Sequence, residues 1–114
     1  MKQKISIIVP VYNEAKSIPN IYKRLNTVTE KLTDYQWEYI FVNDGSSDES
    51  FSVLNELAEI DHKNKVLDLS RNFGKEIALT AGVHEAKNID AIICIDADLQ
   101  HPPELIPELI KKWN

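Results

Sequence analysis

The stretch of residues 5–14, ISIIVPVYNE, decides the fold of this chain. Its first half places four β-branched apolar residues around one serine, and its second half turns polar after Pro10. A run this short and this apolar suits a β-strand that is covered on both faces of a parallel sheet. Similar runs follow at residues 37–42 (WEYIFV), 66–69 (VLDL) and 91–95 (AIICI). The sequence therefore predicts four strands, with the first and last covered on both faces.

Amphipathic segments follow each of the four runs. Their apolar residues recur at spacings of three and four, which predicts one helix after each strand. The predicted apolar faces are Ile18, Ile21, Tyr22, Leu25, Val28 and Leu32; Phe51, Leu54, Leu57 and Ala58; and Leu105, Ile106, Leu109, Ile110 and Trp113. The third segment, residues 73–87, is less regular: Ile77, Ala81 and His84 lie on one side, and His84 is expected to pack or to lie on the surface.

The helix ends carry signals of their own. Pro19 suits the first turn of the first helix, and residues 46–49 (SSDE) fit a capping box that opens the second. Pro107 predicts a bend or a one-turn lead-in before the last helix. The resulting order β-α-β-α-β-α-β-α predicts an α/β fold with a parallel sheet, right-handed crossovers and helices on both faces.

Composition narrows the classes of protein. We expect one domain over residues 1–114, truncated at its C-terminal side because no glycine caps the last helix. The net charge of −5 argues against nucleic acid as a partner. Neither a membrane span of about 18 apolar residues nor a signal peptide is evident, so we expect a cytoplasmic chain. Cys94, in an apolar run, is expected to be a buried thiol.

Polar segments follow every predicted strand. They are residues 10–14 (PVYNE), 43–48 (NDGSSD), 70–75 (SRNFGK) and 96–101 (DADLQH). Ligands of open parallel sheets bind outside the carboxyl ends of the strands. This segregation of polar loops from apolar strands therefore predicts a binding site at one edge of the sheet.

Asp96 and Asp98 lie one residue apart after the fourth strand. Two such carboxylates repel each other unless a cation or hydrogen-bond donors lie between them. Oxygen ligands of this kind suit Mg²⁺ or Mn²⁺, which commonly bridges to substrate phosphates, and Gln100 adds another oxygen. The alternative is a turn in which one aspartate only caps the next helix. The neighbouring polar loops favour the metal site.

The other loops allow two interpretations for each candidate residue. Asp44 either caps a turn or accepts hydrogen bonds from a base or ribose. Tyr12 either stacks on a base or packs on the sheet, and Glu14 either begins a helix or accepts from a ligand. Arg71 and Lys75 either hold a diphosphate or form a solvated helix surface.

Taken together, these segments resemble the family 2 glycosyltransferases, which have the GT-A fold. Residues 7–14, 42–48 and 96–98 resemble the first loop, the second loop and the Asp-x-Asp motif of that family. Residues 70–76 and 98–104 are most similar to the polyprenyl-phosphate sugar transferases, which include the dolichol-phosphate mannose synthase and bactoprenol glucosyltransferase groups. The chain is thus expected to be the nucleotide-sugar-binding half of a GT-A enzyme.

The resemblance implies a role for each matching residue. Donor-binding residues would be Pro10, Val11, Tyr12, Asn13, Glu14, Val42, Asp44, Lys75, Asp96, Ala97 and Asp98. Ligands of Mg²⁺ or Mn²⁺ would be Asp96, Asp98 and Gln100. The implied reaction is inverting transfer of a sugar from a nucleotide sugar, UDP-linked rather than GDP-linked, to a polyprenyl phosphate.

Family members are much longer than this chain, so its catalytic residues are unknown and a catalytic base is expected outside it. We expect this chain to bind donor and metal but to transfer little sugar alone. The full-length parent is expected at the cytoplasmic face of the cell membrane. The surface that the missing part of the parent would cover is expected to be apolar, and homo-oligomers could form through it. A non-catalytic nucleotide-binding module is the main alternative. An NAD-dependent oxidoreductase lacks support because the first loop has no glycine fingerprint. A phosphatase or receiver domain would instead form a phosphoaspartate at Asp96 or Asp98.

Overall fold

The computed structural model describes residues 2–97 and 102–113. Its strands are β1 (Gln3–Val11), β2 (Tyr35–Asn43), β3 (Asn64–Asp68) and β4 (Ala91–Cys94). Its α-helices are α1 (Ile18–Thr29), α2 (Ser50–Ile60), α3 (Lys75–Glu85) and α4 (Ile106–Trp113). The strands form one parallel sheet in the order β3-β2-β1-β4. The predicted α/β order and parallel sheet are confirmed.

The first strand lies inside the sheet, between β2 and β4. Ile7 and Val9 belong to the larger apolar cluster, which also holds buried residues of α1, α2 and α4. Ile8 points to the other face, where it packs with Ile40 of β2 and Ala78 of α3. All three β1 side chains are fully buried. The prediction that residues 5–9 are covered on both faces is confirmed.

The fourth strand differs from the first. It lies at an edge of the described sheet, and its residues alternate between the two faces. Ile93 is buried in the larger cluster, whereas Ile92 is 39% exposed and Cys94 is also exposed. The predictions of a strand covered on both faces and of a buried thiol are therefore wrong. The cause is that α3 packs against β1 and β2 and leaves this side of β4 open.

The buried face of α3 was also predicted incorrectly. Ile77 is 51% exposed and His84 is exposed, whereas Ala78 and Gly82 face the sheet. A Cβ placed on Gly82 would lie 2.5 Å from a methyl carbon of Ile8. The helix thus approaches the sheet so closely that its smallest residues form the contact, and a search for large apolar side chains missed them.

Two predicted proline positions are confirmed. Pro19 lies in the first turn of α1, and a short 3₁₀ turn at Pro103–Leu105 leads into α4, so Pro107 falls at the start of that helix. A proline there loses no helical hydrogen bond, because the first N–H groups of a helix have no partner within it. None of the helices within the described ranges is long and apolar enough to cross a membrane.

Candidate functional site

A cleft of about 240 Å³ opens at the carboxyl edge of the sheet. It lies between the loop after β1, the ends of β2 and β4, and the turn that begins α3. Its lining residues are Pro10, Val11, Tyr12, Glu14, Asp44, Asn72, Gly74, Lys75, Asp96 and Ala97. The structure thus brings together eight residues that the sequence assigns to donor binding. It adds Asn72 and Gly74. Both lie in the polar segment of residues 70–75 that the sequence analysis singled out, but no role was predicted for these two residues.

Two predicted donor-binding residues do not line this cleft. Val42 is fully buried and packs on the α3 face of the sheet. Asn13 points toward the loop after β2 instead. Asp98 and Gln100 lie outside the described residues, so their predicted roles as ligands stay predictions.

Asp44, at the end of β2, holds the loop that leads into α3. Its side chain is buried, and its carboxylate accepts hydrogen bonds from the backbone N–H of Phe73 (2.8 Å) and of Gly74 (3.1 Å). The side-chain amide of Asn72 donates to the same carboxylate at 3.1 Å. Asp44 therefore shapes the wall of the cleft, and it keeps lone pairs with which it can accept from a ligand.

Gly45 allows this contact between the two loops. Its φ of +68° lies in the left-handed region, where a Cβ is unfavourable. A Cβ at this position would also overlap the backbone of Arg71 and Asn72. The glycine that follows Asp44 is thus needed for its conformation and for the close approach of the next loop.

Asn13 joins the first two loops. Its φ is +52°, and its side-chain oxygen accepts hydrogen bonds from the backbone N–H of Ser47 (2.8 Å) and of Asp48 (3.3 Å). Its own N–H donates to the hydroxyl of Ser46 at 2.9 Å. These contacts position the first loop, which carries Tyr12 and Glu14.

The capping box predicted at residues 46–49 is not formed. The second helix begins at Ser50, and Glu49 precedes it without a side-chain cap. Asp48 instead accepts hydrogen bonds from the hydroxyl of Ser50 at 2.6 Å and from its backbone N–H at 2.9 Å, and these bonds hold the pKa of Asp48 below its usual range. The motif failed because Ser46 and Ser47 are engaged with Asn13 rather than with the helix.

Lys75 and Asp96, which both line the cleft, are in direct contact. The ammonium of Lys75, the first residue of α3, forms an ion pair and hydrogen bond with the Asp96 carboxylate beyond the end of β4. The Lys75 side chain is 56% exposed and that of Asp96 is 13% exposed. The pair therefore joins a half-exposed ammonium to a mostly buried carboxylate.

The mouth of the cleft carries an aromatic ring. Tyr12 is 49% exposed, which leaves a ring surface available for stacking. Arg71, the other candidate for a diphosphate contact, lies over the ring of Phe73 at 4.8 Å and is not among the residues that line the cleft.

The described part of the site contains the type of ligand atom that a hard divalent cation prefers. Asp96 provides a carboxylate at the cleft surface, and Mg²⁺ sites that bridge phosphates often use only one or two protein carboxylates. Residues 2–97 and 102–113 contain no cluster of three or more acidic, histidine or cysteine side chains that would hold a metal without a ligand. The donor set thus suits a cation shared with a phosphate ligand.

The parallel sheet with alternating helices and a polar cleft at its carboxyl edge is an α/β architecture that solved GT-A glycosyltransferase structures share. A mannosyltransferase from Pyrobaculum calidifontis, PcManGT, solved in complex with GDP-Man and Mn²⁺, superposes with a TM-score of 0.69 at 25% identity. The match covers 97% of this chain and 32% of that one. The family model for Glycosyl transferase family 2 matches residues 6–114. The chain therefore belongs to glycosyl transferase family 2.

Curated relatives agree with this assignment. The chain is 53% identical over 109 residues to an uncharacterized glycosyltransferase, YkcC, of Bacillus subtilis (strain 168), covering 96% of this chain and 33% of the relative. It is 51% identical over 111 residues to a prophage bactoprenol glucosyl transferase homolog of Escherichia coli (strain K12), covering 97% and 36%. The chain thus spans about a third of the length of these relatives.

Proposed function

We propose that this chain forms the donor- and cation-binding part of an inverting glycosyltransferase. The enzyme would move a sugar from a nucleotide sugar to a polyprenyl phosphate at the cytoplasmic face of the cell membrane, with a UDP-sugar as the first candidate for the donor and a GDP-sugar as the alternative. The observation that carries the proposal is the single cleft in which Tyr12, Asp44, Lys75 and Asp96 meet. An aromatic ring can stack on a base, and a buried acceptor can bind a ribose. A lysine and a carboxylate that holds a metal can bind a diphosphate.

The base and ribose would bind on the side of β1 and β2. Tyr12 offers its exposed ring for stacking, and Asp44 and Glu14 offer carboxylate oxygens to N–H and hydroxyl donors. Pro10 and Val11 provide the apolar floor between them. Because Asp44 is held by the loop after β3, its oxygens are positioned before the ligand arrives.

The diphosphate would bind between α3 and the end of β4. Asp96, with Asp98 and Gln100, would hold Mg²⁺ or Mn²⁺, which stabilises the negative charge that develops on the departing phosphate. Lys75, whose ammonium contacts Asp96, adds a second positive charge. The acceptor phosphate would attack the sugar from the face opposite the leaving group, and the groups that bind this acceptor would lie outside the present chain.

The polyprenyl phosphate acceptor rests on the relatives. One of them is named a bactoprenol glucosyl transferase homolog and shares half of its matched residues with this chain. The donor is supported by the fold it shares with PcManGT, whose structure contains GDP-Man and Mn²⁺. The shared fold and the cleft support a nucleotide sugar with a divalent cation, and they fit either base.

Calorimetric titration of UDP and GDP, each with and without Mn²⁺, tests the proposal. We expect UDP to bind in a Mn²⁺-dependent manner and more tightly than GDP. Asp96→Ala should remove most of the Mn²⁺-dependent part of the affinity. Asp34→Ala is the matched control, because Asp34 is an exposed carboxylate just before β2, at the opposite end of the sheet from the cleft. Binding that ignores Mn²⁺, or equal losses in the two variants, would refute the proposed site.

A further inference from the structure

We propose that Lys75 occupies Asp96 in place of the divalent cation, and that the donor's diphosphate draws the lysine away and so opens the cation site. This inference rests on the proposed function and adds to it an order of events within the same cleft. Cation and nucleotide would then bind cooperatively, because each removes an obstacle to the other.

The contact itself is the first observation. The Lys75 ammonium lies directly on an oxygen of the Asp96 carboxylate, where a hard cation would also bind. Both residues line the cleft. A cation that approaches Asp96 must therefore compete with a charge that is already neutralising it.

The two partners differ in their freedom to move. Asp96 is 13% exposed and follows a strand paired with β1, so its position is fixed by the sheet. Lys75 is 56% exposed and carries a flexible four-carbon stem. The exchange of partners therefore requires movement of the lysine side chain, whereas Asp96 keeps its place at the end of the sheet.

The backbone beneath Lys75 is held in place. Asp44 accepts hydrogen bonds from the N–H groups of Phe73 and Gly74, which immediately precede the lysine. The backbone of Lys75 is therefore fixed, and only its side chain has to move the ammonium within the cleft. A diphosphate that enters the cleft presents several oxygens within the space that this side chain can sweep, and it offers more negative charge than one carboxylate.

The energetic consequence is a reciprocal coupling. If the diphosphate removes Lys75 from Asp96, it raises the affinity for the cation, and the cation must raise the affinity for the nucleotide by the same factor. Ion pairs with exposed lysines are weak, so we expect this contribution to be about twofold to fivefold.

Electron paramagnetic resonance of free Mn²⁺, titrated with protein with and without UDP, measures the coupling directly. Lys75→Met should bind Mn²⁺ alone about twofold to fivefold more tightly than the wild type, whereas it should bind UDP without metal more weakly. The gain in Mn²⁺ affinity caused by UDP should shrink correspondingly. Lys87→Met is the matched control, because it removes the same charge from an exposed position beyond the end of α3.

A second variant separates the ion pair from general effects on folding. Lys75→Arg keeps the positive charge, so its affinity for Mn²⁺ alone should stay close to that of the wild type. If Lys75→Met and Lys87→Met bind Mn²⁺ equally well while wild-type protein still binds UDP with Mn²⁺, the inference is overturned and the proposed function stands. If the wild-type protein binds neither ligand, the proposed function fails, and this inference fails with it.

Discussion

Two lysine–carboxylate pairs lie beside the same sheet, and their surroundings differ. Glu38, in the first half of β2, is paired with Lys65 of β3 at 2.6 Å, and its side chain is only 4% exposed. Asp96, beyond the end of β4, is paired with Lys75 and opens on the cleft. The chemical groups are the same, so we propose that their surroundings decide whether the pair stabilises the fold or exchanges its partner for a ligand.

The environment of Glu38 is closed. Burial alone would raise the pKa of its carboxyl, but the hydrogen bonds from Lys65 and Ser6 and the charges of Lys65 and Lys4 outweigh this effect, so the pKa lies below its usual range. Such a carboxylate stays ionised and surrounded by donors. A buried carboxylate whose oxygens are all engaged by donors supports the fold, whereas the proposed exchange of partners requires a carboxylate at the wall of a cleft.

The largest expected effect on stability comes from a substitution that disturbs the backbone on the cleft side of the comparison. Gly45→Ala should lower the free energy of unfolding by about 2 to 4 kcal/mol, because it adds a left-handed alanine and an overlap with the backbone of Arg71 and Asn72. Urea denaturation followed by circular dichroism measures the loss.

Gly74→Ala is the control for this substitution. Gly74 also has a positive φ, of 101°, but a Cβ there would meet no atom within 4 Å. It should therefore cost less than Gly45→Ala. Equal costs would mean that the close approach of the two loops contributes little.

The second prediction tests the comparison itself. Glu38→Ala should lower the free energy of unfolding by about 1 to 3 kcal/mol, because it leaves the buried Ser6 hydroxyl and the lysines without their acceptor. Asp96→Ala should cost less than about 1 kcal/mol, because Lys75 can return to water. Nucleotide binding should show the opposite ranking. Paired urea and calorimetric titrations of both variants would decide, and a large loss of stability in Asp96→Ala would remove the distinction.

The smallest effect concerns pH. The folded-state pKa of Glu38 lies below the ordinary value of 4.5, so its stabilising contribution is present above that value and is lost as the pH falls through the lower, folded pKa. The difference in unfolding free energy between the wild type and Glu38→Gln should therefore shrink when the pH is lowered from 7 to below 4. Urea midpoints at several pH values measure this difference, and a constant gap would contradict the assignment.

The sequence by itself determined the order of elements, the parallel sheet and the cluster of polar loops at one of its edges. These follow from local apolar periodicity and from the rule that parallel strands end at the same edge. The residue types in the loops after β1, β2 and β4 marked Tyr12, Asp44 and Asp96 as candidates, and the family resemblance extended this set to most of the residues that line the cleft.

Only the tertiary structure decided how those residues are used. Asn13 and the serines of the second loop bond each other rather than a helix end, Gly82 rather than Ile77 meets the sheet, and Cys94 is exposed at a sheet edge. Each outcome depends on a partner far away in the chain. Periodicity and local motifs describe what a segment can do alone, whereas hydrogen-bond partners, close approach and burial are set by the segments that fold against it.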